Sequence, residues 1–300
     1  MTPGIKLLVY LVVSAVCALA VAPFAVRLLR KLKAGQTVLG YVVQHEHKSG
    51  TPPMGGVIFL LPVAVVCAVE ATAFSLVALA VTLGFAALGF LDDFIKIRFR
   101  RNLGLKAYQK VIGQLGLSAI AAYFCFASPS VGTELFLPFG GGSAELSYGI
   151  IPFVMLVYIA TTNSVNLTDG LDGLAATTSL GYFLTFAVFT FLAFSDAADT
   201  GRGEDAEQLF SLSAFCVAVL GGLLGYLVFN SNPASVMMGD TGSLGLGAAA
   251  ATVAAVSRAD LLLPLAGIMF VWSSISVIMQ VLAFKLTGRR VVGMAPFPHS

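Results

Sequence analysis

The sequence predicts an all-α, polytopic helical membrane protein, and three observations carry that expectation. Of its 300 residues, 58% are hydrophobic and only 11% are charged, where a soluble domain carries roughly a quarter charged residues. The apolar runs approach the ~20 residues that take a helix across a bilayer. They are continuous rather than alternating, which argues against a transmembrane β-barrel.

Nine spans follow in order. The first, 5–29, begins beside Lys6 and ends on the basic "RLLRKLKAG", so it reads as a retained span rather than a cleaved signal peptide. The second, 55–72, follows the turn "GTPPMGG", and the third, 74–92, ends in "LGFLDDFIK". The fourth covers 110–127. The fifth, 149–163, contains "IIPFVMLVYIA" and runs into "NSVNLTDGLDGLA". The sixth, 173–194, contains "SLGYFLTFAVFTFLAF" and is followed by the acidic loop "SDAADTGRGEDAEQ". The seventh, 209–229, runs into "NSNPASVMMGDTGSLGLG". The eighth, 241–256, has Asp240, Thr241 and Ser243 as candidate N-caps. The ninth, 261–285, leads into "GRRVVGMAPFPHS". No internal repeat, low-complexity tract or linker interrupts them, so one integral-membrane domain over 1–300 is expected.

Basic residues orient the spans. The segments after spans 1, 3 and 9 hold fourteen of the 17 Lys and Arg residues, leaving Lys6, Arg202 and Arg258 for the other side. Lys and Arg mark the cytoplasmic face, so the N-terminus is expected outside and the loops after odd-numbered spans inside. The four cysteines, Cys17, Cys67, Cys125 and Cys216, all fall within apolar runs and form no CxxC pair. They read as small packing residues.

The inner loops carry the chemistry. Asp92, Asp93, Asp169, Asp172 and Asp240 sit at or beside span ends on this side. A charge in hydrocarbon costs about 2.5–3.5 kcal/mol, less near the interface, and clustered carboxylates repel one another. A divalent cation relieves both costs, and oxygen ligands without a local His or Cys pairing point to magnesium, which usually accompanies phosphate substrates. Asp92 and Lys96 are four residues apart and share a helix face, while Asp93 points about 100° away. "GTPPMGG" reads as a turn whose backbone N–H groups can face a phosphate. His45 and His47 read as solvated loop residues. The sequon at Asn166 lies on the inner face and is rejected as a glycosylation site. There is no HExxH, GxSxG or Walker loop, so zinc protease, serine hydrolase and P-loop classes are without support.

Taken together, the five inner segments resemble the polyprenyl-phosphate N-acetylhexosamine-1-phosphate transferases, and within them the phospho-N-acetylmuramoyl-pentapeptide transferase family, over nearly the whole chain. "HEHKSGTPPMGG" is similar to that family's HxxKxGTPTMGG loop, with Pro53 in place of the usual Thr. "LDDFIK" is similar to its DDxxK motif. "NSVNLTDGLDGLA", "NSNPASVMMGDTGSLGLG" and "RRVVGMAP" match three further motifs. The resemblance implies a Mg²⁺-dependent transfer of phospho-MurNAc-pentapeptide from UDP-MurNAc-pentapeptide to undecaprenyl phosphate, giving lipid I and UMP at the inner face of the bacterial cell membrane. It implies a homodimer in the lipid bilayer and no nucleic-acid partner.

By that resemblance Asp92, Asp93 and Asp240 are the catalytic candidates. Lys48, Thr51, Lys96, Asn166, Asp169, Asp172, Asn230 and His299 are expected to bind substrate, and Asp240, Asp93 and Asp172 to hold the metal. Direct attack and a phospho-aspartyl route both remain open, with direct attack preferred. The family's His triplet would fall at 298–300, where the chain reads "PHS" and only His299 matches. A tenth family span has no counterpart, so the C-terminus is expected to be truncated or altered. Three other readings stay open: a sibling transferase using UDP-GlcNAc, an inactive truncated homologue, and a transporter. A transporter would spread its acids through the membrane depth, whereas these gather at span ends.

Overall fold

The computed structural model describes residues 1–33, 51–99, 103–138 and 141–288. Among them, helices form over all nine apolar runs: α1 (Pro3–Lys33), α2 (Val57–Glu70), α3 (Ala73–Arg98), α4 (Ala107–Ala127), α5 (Ile150–Thr168), α6 (Leu174–Asp199), α7 (Gly203–Asn230), α8 (Gly239–Val256), then the one-turn α9 (Leu263–Ala266) and α10 (Ile268–Thr287). Seven of these are long and apolar enough to cross a membrane. Besides the one-turn α9, two helices fall short, each for its own reason. The 14 residues of α2 rise only about 21 Å, short of the ~30 Å hydrocarbon core. The polar, glycine-rich start of α8 lowers its hydropathy, yet α8 is buried from Thr241 to Val256. A helix wrapped on all sides by protein needs no lipid-facing apolar stripe.

Burial of α8 sets the architecture. α3 and α5 pack along it, and α7, itself largely buried, lies among α1, α2 and α6. Small residues bring these backbones close, as they do in membrane bundles. A Cβ added at Gly247 would stand 2.6 Å from the Thr162 Cα of α5. Tyr158 Oη donates to Thr252 Oγ1 (2.7 Å) and Tyr182 Oη to the Ala250 carbonyl (2.8 Å), tying α5 and α6 to α8.

Two expectations need correction. The ninth span is not continuous: a 3₁₀ turn (Asp260–Leu262), α9 and a break at Gly267 precede α10. The glycine leaves helical geometry there with ψ 35°. The link between α4 and α5 also contains a small antiparallel hairpin, β1 (Glu134–Leu137) with β2 (Gly142–Glu145). α10 keeps most of its surface exposed and is joined to α5 by Thr168–Ser273 (2.9 Å) and Ser164–Ser274 (2.7 Å) hydroxyl bonds.

Candidate active site

The C-terminal end of α3 meets the N-terminal end of α8, and their acids meet with them. Asp92 and Asp93 are both 4% exposed in the last turns of α3. Carboxylates buried this deeply need partners, and each has them. Asp92 Oδ1 accepts from the Leu105 N–H (2.8 Å), closing the α3–α4 loop, and Oδ2 lies 2.5 Å from Lys96 Nζ. Asp93 Oδ2 accepts from both the Thr241 N–H (2.9 Å) and its hydroxyl (2.8 Å).

That pair of bonds makes Asp93 the cap of α8. The early N–H groups of a helix have no partner within it and favour an anion. Asp240, Thr241 and Ser243 were the expected local caps, but no side chain caps α8 from its own N-cap position. Gly239 (φ 70°) allows the approach, since a Cβ there would stand 2.6 Å from Asp93 Oδ2. Gly89 does the same from α3, where a Cβ would be 2.0 Å from the Asp240 carbonyl oxygen.

Asp240 is the most heavily bonded of the three. Its Oδ2 takes Lys96 Nζ (3.1 Å) and Lys110 Nζ (2.9 Å), and its Oδ1 takes Asn166 Nδ2 (2.8 Å). Asn166, in the last turn of α5, also donates to Ser243 Oγ (2.8 Å). One oxygen from each of Asp92, Asp93 and Asp240 lies within 4.8 Å of the others, a group that can hold a metal ion. The donor set fits a hard divalent cation, being all oxygen. Lys96, at 2.5 Å from Asp92, 3.9 Å from Asp93 and 3.1 Å from Asp240, shows that this spot is built to take positive charge. A cavity of about 220 Å³ opens beside it, lined by Asp93, Lys96, Asn166, Asp169 and Asp240, with Pro53 and Met237 at its edge.

The other expected residues fall into two groups. Asp169 ends α5 and faces that cavity. Asp172, Asn230 and Thr51 hold loops together. Asp172 Oδ2 accepts from the Ala234 N–H (3.2 Å), and the acids grouped among the described residues are Asp92, Asp93 and Asp240. Asn230 is 2% exposed, donates to the Val236 carbonyl (2.9 Å) and accepts from the Gly173 N–H (3.1 Å). Thr51 Oγ1 donates to the Ala234 carbonyl (3.4 Å). The "GTPPMGG" turn likewise spends its amides on protein: the Gly55 and Gly56 N–H groups donate to the Met237 (2.8 Å) and Met238 (3.3 Å) carbonyls, leaving neither to face a phosphate. Lys48, His299, His45 and His47 lie outside the described residues.

Lys110 was missed as a site residue. In the sequence it counted only as one more inner-side charge, and the signal was that it sits at the very start of an apolar helix rather than in the loop before it.

Comparison with known proteins gives a consistent match. The model of glycosyl transferase family 4 matches residues 75–258, which contain every grouped acid. The chain is 44% identical over 297 residues to the phospho-N-acetylmuramoyl-pentapeptide-transferase of Thermoanaerobacter pseudethanolicus, covering 98% of this chain and 89% of the relative. It is 44% identical over 295 residues to the protein of that name from Heliobacterium modesticaldum (97% and 87% covered). It is 41% identical over 298 residues to the one from Clostridium kluyveri (98% and 90% covered).

Proposed function

The chain belongs to the phospho-N-acetylmuramoyl-pentapeptide transferases of glycosyl transferase family 4, and from that premise we propose that it moves phospho-MurNAc-pentapeptide from UDP-MurNAc-pentapeptide to undecaprenyl phosphate, releasing UMP and forming lipid I. The observation that supports this substrate reading is the convergence of Asp92, Asp93 and Asp240 with Lys96 and Lys110 at one end of a membrane bundle. A soluble nucleotide and a lipid phosphate can meet only at such an end. Fourteen of the 17 basic residues lie in the segments on that side, which supports placing it at the cytoplasmic surface with the N-terminus outside.

Asp92, Asp93 and Asp240 would hold Mg²⁺, which when bound stabilises negative charge on phosphate oxygens. In the transfer, an oxygen of the lipid phosphate attacks the phosphorus that carries the sugar, and the bond to the UMP oxygen breaks as UMP leaves. Both Asp240 oxygens are already engaged by Lys96, Lys110 and Asn166. That favours a positioning role over a phospho-aspartyl nucleophile, and hence direct attack. Asp93 Oδ1 is less engaged, with Lys96 at 3.9 Å, which supports its taking a proton from the acceptor. Lys96 and Lys110 offer ammonium groups to the phosphates. A homodimer in the bilayer completes the proposal, checked by cross-linking in native membranes.

The test is direct. Detergent-solubilised protein is given UDP-MurNAc-pentapeptide, undecaprenyl phosphate and Mg²⁺, and UMP is measured. UMP release that stops on chelation and returns with Mg²⁺ is the expected result. Release only with UDP-GlcNAc would redirect the assignment to the sibling transferases, and no release from a folded preparation would overturn it.

A further inference from the structure

A second, larger cavity lies at the other end of α8, about 27 Å along its 18 residues from the acids. Its volume is about 470 Å³. The β1–β2 hairpin forms one wall and the ends of α6, α7 and α8 form the others. Its floor is aromatic: Phe136 of β1 leans on Phe189 of α6, ring centroids 6.4 Å apart.

Two features around this cavity are unfavourable as they stand, a like-charge pair and a strained arginine. Glu134 and Glu145 are directly paired across the hairpin, and like charges so placed destabilise a sheet. Bonds from the Thr133 hydroxyl and the Ser147 N–H hold the Glu145 carboxyl below its ordinary range, so it stays ionised. Arg258 adopts φ 59°, a left-handed conformation costly for a long side chain. Its carbonyl accepts from the Phe136 N–H (3.1 Å), which pins it against β1. The ion pairs described at this rim join Arg202 to Asp196 (2.6 Å) and Asp205 (3.8 Å), leaving Arg258, Glu134 and Glu145 without one among the described residues. Strand alternation sends Glu134 and Phe136 to the cavity side while Leu135 is buried on the other.

Unpaired charges of both signs over an aromatic floor suit one kind of ligand. Three acids against two arginines line the cavity, so a simple anion is not favoured. We propose that this cavity binds a small zwitterion on an apolar body: an oxyanion on the Arg258 guanidinium, an ammonium beside Glu134, and the apolar part on Phe136 and Phe189. Glu134 is two strand residues, roughly 7 Å, from the position that anchors Arg258. A phosphoethanolamine group, extended by the reach of the two side chains, spans that separation. Two sources share this chemistry, the headgroup of an ethanolamine phospholipid and a free zwitterion.

The experiment titrates the full chain in detergent with dihexanoyl-phosphatidylethanolamine, with dihexanoyl-phosphatidylglycerol (the same chains without the ammonium), and with O-phosphoethanolamine, binding being read by calorimetry. Saturable binding of the ethanolamine lipid is expected, with the glycerol lipid about tenfold weaker or worse. Arg258→Gly and Glu134→Gln should each weaken it by about tenfold or more, the value of one charge-assisted hydrogen bond. Arg258→Gly also relieves the left-handed backbone, so lost binding at an unchanged or higher melting temperature separates loss of the site from loss of the fold. O-phosphoethanolamine binding as tightly as the lipid assigns the free zwitterion, and binding that needs the chains assigns the lipid. Equal affinity for the two lipids, unchanged binding in either variant, or no saturable binding at all overturns the proposal.

Discussion

The two ends of α8 handle charge in opposite ways. At its N-terminus every grouped acid is bonded: Asp92 to Lys96 and Leu105, Asp93 to Thr241, Asp240 to Lys96, Lys110 and Asn166. Past its C-terminus, Asp260 is 4% exposed with an oxygen that finds no partner among the described residues, and Arg258 and Glu134 form no ion pair among them. Three of the four described non-glycine residues with positive φ, Ala71, Ser147 and Arg258, belong to this second end, while Met54 belongs to the first. One end is a network whose members depend on each other; the other, apart from the Arg202 ion pairs and the bonds to Glu145, holds groups that stand alone among the described residues. Substitutions should therefore spread at the first end and stay local at the second.

The largest effect is expected at the centre of the network. Asp240→Asn removes the charge that two lysines and an asparagine converge on, and transfer should fall by about a thousandfold or more, on the scale of losing a preorganised electrostatic group. UMP release at saturating substrates checks it, and an unchanged rate would overturn the metal assignment. Lys110→Met leaves Lys96 in place and should cost less, about ten- to a hundredfold in the same assay. Equal losses in the two variants would mean that Lys110 holds Asp240 in place rather than adding a charge.

How much of this was visible beforehand depends on the range of the forces involved. The nine apolar runs were legible as helical because hydropathy is local and continuous. Their ends were not: α5 runs on to Thr168, carrying Asn166 into its last turn, where a loop was expected. The acids were legible as a one-sided set, but their grouping was not. Asp92 joins Asp93 and Asp240 while Asp172 turns to Ala234, and only the packing of α3 on α8 decides that. Capping of α8 by Asp93, 148 positions away in sequence from Thr241, leaves no sequence signal at all. The hairpin escaped notice because four-residue strands fall below any periodicity test.

Gly89→Ala probes the same end by shape rather than charge. Its methyl would sit 2.0 Å from the Asp240 carbonyl oxygen and 2.4 Å from its carbon, both backbone atoms, so α3 and α8 must part. Overpacking of this kind costs about 1–3 kcal/mol. A lower melting temperature together with reduced transfer is expected. Full activity at reduced stability would show that the acids tolerate the separation.

At the other end, burial pushes the Asp260 carboxyl up to about 7. An acid raised in the folded state favours folding when protonated. Its penalty is absent at pH below about 4, grows as pH rises, and levels off above about 7. Asp260→Asn should therefore leave the melting temperature nearly unchanged at pH 4 and raise it at pH 8. The gain is on the order of the linkage value, about 2–4 kcal/mol, because the amide and the protonated carboxyl it replaces are desolvated alike. Transfer measured at one pH should not change. A melting curve with the same pH slope in both proteins would show that folding does not raise the Asp260 carboxyl.

The smallest effect is backbone strain, and it separates two residues that look alike. Ala71 (φ 47°) ends α2, donating its N–H to the Cys67 carbonyl at 2.8 Å, and Arg258 (φ 59°) ends the turn after α8. Glycine adopts this conformation freely, so Ala71→Gly should stabilise by about 0.5–1 kcal/mol. Arg258→Gly should give the same gain, since its guanidinium makes no described bond to lose. Equal shifts in melting temperature would establish that the arginine contributes nothing to the fold, so that its retention in a strained position serves something other than stability. A smaller gain at Arg258 would measure how much its side chain already contributes where it stands.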